Sequence, residues 1–178
     1  MLTKNKNVSE CTRQNFIDAF WKLYKIKNIR KITINEIALE AGYNRNSFYR
    51  YFKDIYDVLE QEEERIAKEF AKYCQKNEVY DVSCAINSEI LKKEGEKIRL
   101  FFEKDEETRF SVKLKEKCLP MWKKNFMLGK DEKLRDYVIE YKVAGSIAVM
   151  IKYFKNNKNM PTEEIVDIMM KLVTTGEW

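Results

Sequence analysis

An all-helical protein is what this sequence predicts, on three observations. The 178 residues hold only five glycines and two prolines, too few breakers for a sandwich or barrel. Apolar residues make up 44% of the chain, enough for a core. They recur at the three- and four-residue spacing of helix faces rather than in strict alternation. The expected architecture is a three-helix domain with a helix-turn-helix over residues 1–53. A long helix at 54–75 then joins it to a helical bundle that completes residues 54–178.

The first helix is expected between Ser9 and Ile26, where Phe16, Ile17, Phe20, Leu23 and Tyr24 form one buried stripe. A basic connection, Lys25 to Lys31, leads to Thr33, and Thr-x-x-Glu over Thr33 to Glu36 reads as a capping box. The helix it opens, with Ile34, Ile37 and Ala38 inward, runs to about Ala41. Gly42 then supplies the left-handed turn that other residues resist. A third helix is expected to be capped by Asn44, with Phe48, Tyr51 and Phe52 inward. Asp54 and Asp57 mark the start of a long fourth helix reaching about Tyr73, its acidic Glu62, Glu63 and Glu64 reading as a solvated face.

Further helices are expected near 80–93, 95–104, 107–128, 131–155 and 161–175, with Pro120 kinking or dividing the third. Cys11, Cys74, Cys84 and Cys118 have no C-x-x-C pairing, and the chain has no histidine, so the thiols read as reduced core residues rather than a metal site. Without histidine, a phosphate loop or a metal constellation, no enzymatic reading and no cofactor is expected. Residues 1–10 lack the apolar run of a signal peptide and no stretch reaches about 18 apolar residues, so a cytoplasmic location without a membrane span is expected.

Charge is distributed unevenly. Residues 1–53 carry eleven Lys and Arg against four acidic residues, and with a net charge of +5 overall the remainder is mildly acidic. One end of the chain therefore suits a polyanion. A membrane surface could use the same asymmetry, so charge alone does not choose between them.

The helix-turn-helix does choose. Its second helix lies in the major groove of duplex DNA and presents its first turns to base edges. From Gly42 to Lys53 the segment is basic and free of acids. Arg45 can donate two hydrogen bonds to guanine, and Asn44 and Asn46 have the donor and acceptor that match adenine. Ser47, Tyr49, Arg50 and Lys53 suit phosphate oxygens, and Thr33 offers a hydroxyl and a helix N-terminus to another phosphate.

The order of residues from Ile32 to Asp54 resembles the N-terminal domain of TetR-type transcriptional regulators: Thr33-Ile34-Asn35-Glu36-Ile37-Ala38, then Ala41-Gly42, then Phe48-Tyr49-Arg50-Tyr51-Phe52. The resemblance spans roughly residues 9–60, and the family more often has a small residue at Asn46. It implies an all-helical homodimer, often a repressor, whose second domain receives a small-molecule signal. Thr33, Asn44, Arg45, Ser47, Tyr49, Arg50 and Lys53 stand where that family commonly contacts DNA.

In the second domain Phe101, Phe102, Phe110, Trp122 and Phe126 are the candidates for an effector pocket, although aromatic stripes at this spacing are usually core. The helix at 131–155 is apolar on two sides and so needs two partners. With the last helix it is expected to build a four-helix interface across a two-fold axis. Tyr141, Gly145, Ala148, Ile168 and Leu172 would lie in that interface. Two recognition helices would then reach half-sites of a palindromic operator about 34 Å, or a multiple of it, apart. The competing reading is a DNA-binding adaptor that senses no small molecule and works through a protein partner.

Overall fold

The computed structural model describes residues 2–76, 89–104, 109–125, 132–156 and 160–174, and among them lie eight α-helices and no strand. These are α1 (Leu2–Ile26), α2 (Ile34–Ala41), α3 (Arg45–Phe48), α4 (Ile55–Lys76), α5 (Glu89–Lys104), α6 (Arg109–Asn125), α7 (Glu132–Asn156) and α8 (Thr162–Thr174). None of them is long and apolar enough to cross a membrane. The chain divides into two units, Met1–Glu62 and Glu63–Trp178, with the boundary inside α4.

In the first unit, α1 begins at Leu2, ahead of the expected Ser9, and buries Phe16, Ile17, Phe20, Trp21 and Tyr24. A short 3-10 turn, Ile29–Lys31, is capped by Asn28 and leads to α2. The capping box is present as read: Thr33 Oγ1 accepts from the Glu36 N–H at 3.2 Å, and Glu36 Oε2 accepts from the Thr33 N–H at 2.9 Å. Gly42 closes α2 with φ 76° and ψ 26°, and the Tyr43 N–H donates back to Ala38 O at 2.9 Å. That is the left-handed helix end for which glycine is best suited.

The first two turns of α4 belong to this unit. Asp54 Oδ1 accepts from the Asp57 N–H at 2.8 Å to open the helix, Val58 and Leu59 are buried, and Trp21 Nε1 donates to Glu62 Oε2 at 3.0 Å. The first unit therefore runs on through Glu62, at the start of α4.

In the second unit α7 packs against α5, α6 and α8. One long helix, α5, runs unbroken through Gly95 where two were expected, and the rest of the 80–93 expectation lies outside the described residues. Pro120 sits inside α6 without dividing it. Cys74 and Cys118 are fully buried free thiols, whereas Cys11 is exposed on α1 rather than in a core. Their hydrogen bond, followed by burial, pushes the Cys118 thiol far above its ordinary range. Cys84 lies outside the described residues.

The acidic run of α4 is not a solvated face. Glu62 and Glu63 are each 1% exposed. Arg109 and Lys113 from α6 stand 3.4 and 3.3 Å from the Glu63 carboxylate, and Lys117 stands 2.7 Å from Glu64. Buried carboxylates persist only when paired, and sequence periodicity does not reveal partners that come from another helix.

Glu94 on α5 is also buried. Burial alone would raise its carboxyl, but Arg65 at 3.1 Å and Lys97 at 3.1 Å outweigh that and hold it below the usual carboxylate range. Its stabilising contribution is therefore present above the unfolded carboxyl value of about 4.3 and is lost as pH falls through the lower folded value. Glu94→Gln is expected to flatten the acid limb of a stability-versus-pH curve. An unchanged slope in denaturant titrations across that limb would show that the pairing contributes nothing.

Candidate nucleic-acid interface

The recognition segment is short in regular helix and long in turn. Only Arg45–Phe48 is α-helical. The chain then tightens, with Arg50 N–H donating to Ser47 O, Tyr51 N–H to Phe48 O and Phe52 N–H also to Phe48 O. Phe48 and Phe52 anchor it: both are buried, Phe48 meets Phe16 edge-on at 5.5 Å, and the two rings lie 5.3 Å apart. With its inner face held by aromatic packing, the segment turns Asn44, Arg45, Asn46, Tyr49, Arg50 and Lys53 to solvent.

The exposed side chains are not equally free. Asn44 Oδ1 caps α3, accepting from the Ser47 N–H at 2.9 Å and from Ser47 Oγ at 3.1 Å. Its amide donors remain available, but the paired donor and acceptor that adenine requires are not both open. Arg45 lies over the Tyr49 ring at 5.5 Å and donates through Nε and Nη2 to Tyr49 OH at 3.3 and 2.9 Å. This stacks the guanidinium and orders it at the surface, with its remaining donors outward. Asn46, Arg50 and Lys53 are exposed with no side-chain partner among the described residues. Ser47 is half-buried.

Thr33 is committed to its own helix. Its hydroxyl and its N–H both engage Glu36, and Lys27 pairs with the same carboxylate. The Lys27 hydrogen bond, followed by those from Thr33, holds the Glu36 carboxyl below its ordinary value.

Tyr51, read from the sequence as inward, is only half-buried, and its hydroxyl meets Ser9 Oγ on α1 at 3.3 Å. Tyr43 is likewise bridged to α1, with its hydroxyl 3.4 Å from Thr12 Oγ1 and accepting from Asn15 Nδ2 at 3.2 Å. The sequence reading assigned no part to α1 here. Ser9, Thr12 and Asn15 recur at three-residue spacing, but nothing local ties them to a segment some thirty to forty residues away.

The candidates in the second unit separate into two groups. Phe101, Phe102 and Phe110 do come together, with rings 4.6 and 5.5 Å apart and Phe102 stacked on Phe154 at 5.5 Å, and all three are buried. The Trp122 side chain and Phe126 lie outside the described residues. On α7 and α8, Tyr141, Gly145, Ala148 and Leu172 are exposed and Ile168 is half-buried. Among the described residues no group of three or more metal-binding side chains occurs.

A capped helix, a glycine turn and an aromatic-anchored basic segment define a helix-turn-helix DNA-binding domain, and the chain is a DNA-binding transcriptional regulator. Residues 16–61 match the family described as bacterial regulatory proteins, tetR family. Two solved structures share the all-helical fold over nearly the whole chain. The dihydroxyacetone kinase operon activator DhaS aligns with a TM-score of 0.66 and 17% identity over 92% of this chain and 94% of that one. The fatty acid degradation regulator FadR from Bacillus halodurans aligns with a TM-score of 0.62 and 18% identity over 93% and 96%. No curated protein sequence matches the chain.

Proposed function

We propose that this chain is a cytoplasmic homodimeric repressor that holds a palindromic operator and is released from it by a small-molecule effector. The observation that carries the DNA part is the acid-free segment from Gly42 to Lys53, in which the Arg50 and Lys53 side chains form no ion pair among the described residues. Lys53→Ala is expected to weaken binding to all sequences alike and to lower the slope of log affinity against log salt by about one. Equal slopes for the two proteins over a salt series would remove Lys53 from the interface.

Dimerisation is supported by the outer face of α7. Its inner face buries Ile139, Val143, Ile147 and Met150, yet Leu134, Tyr137 and Tyr141 are 55%, 77% and 65% exposed. A shallow groove at Tyr141 is lined further by Lys142, Gly145, Ser146, Val149, Met169 and Leu172. A Cβ added at Gly145 would meet nothing within 4 Å, so packing within one chain does not ask for a small residue there. A second copy would cover this face and place two recognition segments on two half-sites. Sedimentation at micromolar concentration should show a dimer. A monomer that occupies single half-sites would overturn the palindrome.

One observation favours the adaptor reading, in which no small molecule is sensed: the phenylalanines proposed as a pocket fill one another's space. Thermal shift against a metabolite library decides, since a ligand that binds only the folded state raises the melting temperature. Selection of the operator from random DNA, followed by a promoter reporter, distinguishes repression from activation.

A further inference from the structure

The bend that ends the recognition segment is closed by a ring of contacts within the first unit. Lys53 lies between that segment and the start of α4 at Ile55, where no backbone carbonyl accepts from its N–H among the described residues. Asp57 Oδ2 takes that N–H at 2.8 Å. The other oxygen of the same carboxylate accepts from Gln61 Nε2 at 3.0 Å, one turn further along α4. Gln61 Oε1 in turn accepts from Arg13 Nη2 on α1 at 2.6 Å. The Arg13 guanidinium also lies over the Phe52 ring, 5.3 Å from its centroid, and Phe52 is the residue bonded to Lys53. Arg13 is half-buried and forms no ion pair among the described residues. A guanidinium that gives its hydrogen bond to a neutral amide and its face to a ring is placed for geometry rather than for charge.

We infer that Arg13, Gln61 and Asp57 are positioning residues for DNA binding: their relay fixes the backbone at Lys53 and so aims its ammonium at a phosphate, while none of the three touches the duplex. The inference rests on the DNA-binding reading and deepens it by naming what holds Lys53 in place. The Lys53 ammonium stands on a flexible four-carbon stem with no side-chain partner among the described residues, so only its backbone limits where the charge is found. Asp57 alone would not fix that backbone, because a carboxylate in the first turn of a helix can rotate to water or to the N–H groups of its own helix. Gln61 holds one oxygen and leaves the other directed at Lys53. Arg13 then ties the relay to α1, whose Phe16 and Ile17 are buried in the core. By charge alone a carboxylate so close to a DNA-facing lysine works against binding. The relay gives Asp57 a reason to be there.

The test uses the full chain and the duplex it selects from random DNA, with Lys53→Ala as the reference. Gln61→Leu breaks the relay at its centre without changing the charge of the protein. It is expected to weaken binding about tenfold on matched and mismatched duplexes alike. It should also lower the slope of log affinity against log salt by about one, because the Lys53 charge no longer meets its phosphate. In that background Lys53→Ala should weaken binding almost no further, whereas independent residues would give losses that multiply. Asp57→Ala decides separately, by sign: loss of a carboxylate near a polyanion tightens binding if charge governs, and weakens it if the relay does. Trp21 fluorescence in denaturant titrations shows that each variant is folded. A merely structural role would bring the denaturant midpoint forward and leave the salt slope and the Lys53 contribution whole. That result, or tighter binding by Asp57→Ala, would overturn the inference while leaving the DNA-binding reading intact. If Lys53→Ala itself changes neither affinity nor slope, the inference falls with the phosphate role of Lys53. A wild-type chain that selects no duplex takes down both readings.

Discussion

Phe48→Ala is expected to destabilise the first unit by about 3–5 kcal/mol, a large share of the roughly 5–15 kcal/mol that holds a domain folded. Phe48 is fully buried and its ring meets Phe16 at 5.5 Å, Phe52 at 5.3 Å and Tyr49 at 5.9 Å, so alanine leaves a cavity bounded by other rings that cannot all close on it. The fluorescence of Trp21, buried in the same unit beside Glu62, should report the loss as an earlier denaturant midpoint. DNA binding should fail for a structural reason, since Phe48 itself faces away from solvent. Phe48→Leu, which retains most of the volume, should recover much of both. A midpoint shifted by less than about 1 kcal/mol in Phe48→Ala would mean that the aromatic cluster does not anchor the segment.

Arg45→Ala is the second large effect and belongs to recognition rather than stability. It should relax preference at one base position by about 1–3 kcal/mol while leaving the melting temperature almost unchanged. The reason lies in how Arg45 is held, with its guanidinium over the Tyr49 ring and two of its nitrogens directed to the Tyr49 hydroxyl. Ordering the side chain before binding reduces the entropy lost when it meets a base edge. Arg45→Lys should not rescue, because an ammonium has neither the planar fork nor the stacking face. Affinity measured on a panel of single-base variants of the selected operator checks this. A uniform loss across the panel would make Arg45 a phosphate contact instead.

Residue type alone assigns Arg45 to a base edge and Lys53 to a phosphate as expectations, but Asn44 shows where that logic stops. Its amide is chemically suited to adenine, yet its oxygen is used twice by Ser47 to start α3. Asparagine serves equally as reader and as cap, and only the placement of the next three residues tells which of its atoms is left. Thr33 repeats the lesson, with its hydroxyl and N–H both directed to Glu36.

By itself the sequence determined the features that depend on neighbours within about four residues: the capping box at Thr33 to Glu36, the left-handed turn at Gly42, and the apolar stripes that become α1, α2 and α4. Capping, turn conformation and helix amphipathicity are local, so the chain carries them wherever it is placed. What only the tertiary structure decided are the pairings between distant residues. Glu63 is buried because Arg109 and Lys113 approach from α6, and the Tyr51 hydroxyl is held at α1 because Ser9 meets it. A helical period says which side chains share a face, whereas the neighbour that face meets is set by packing across the fold. The helix-turn-helix was therefore readable from its own residues, and the part of α1 in it was not.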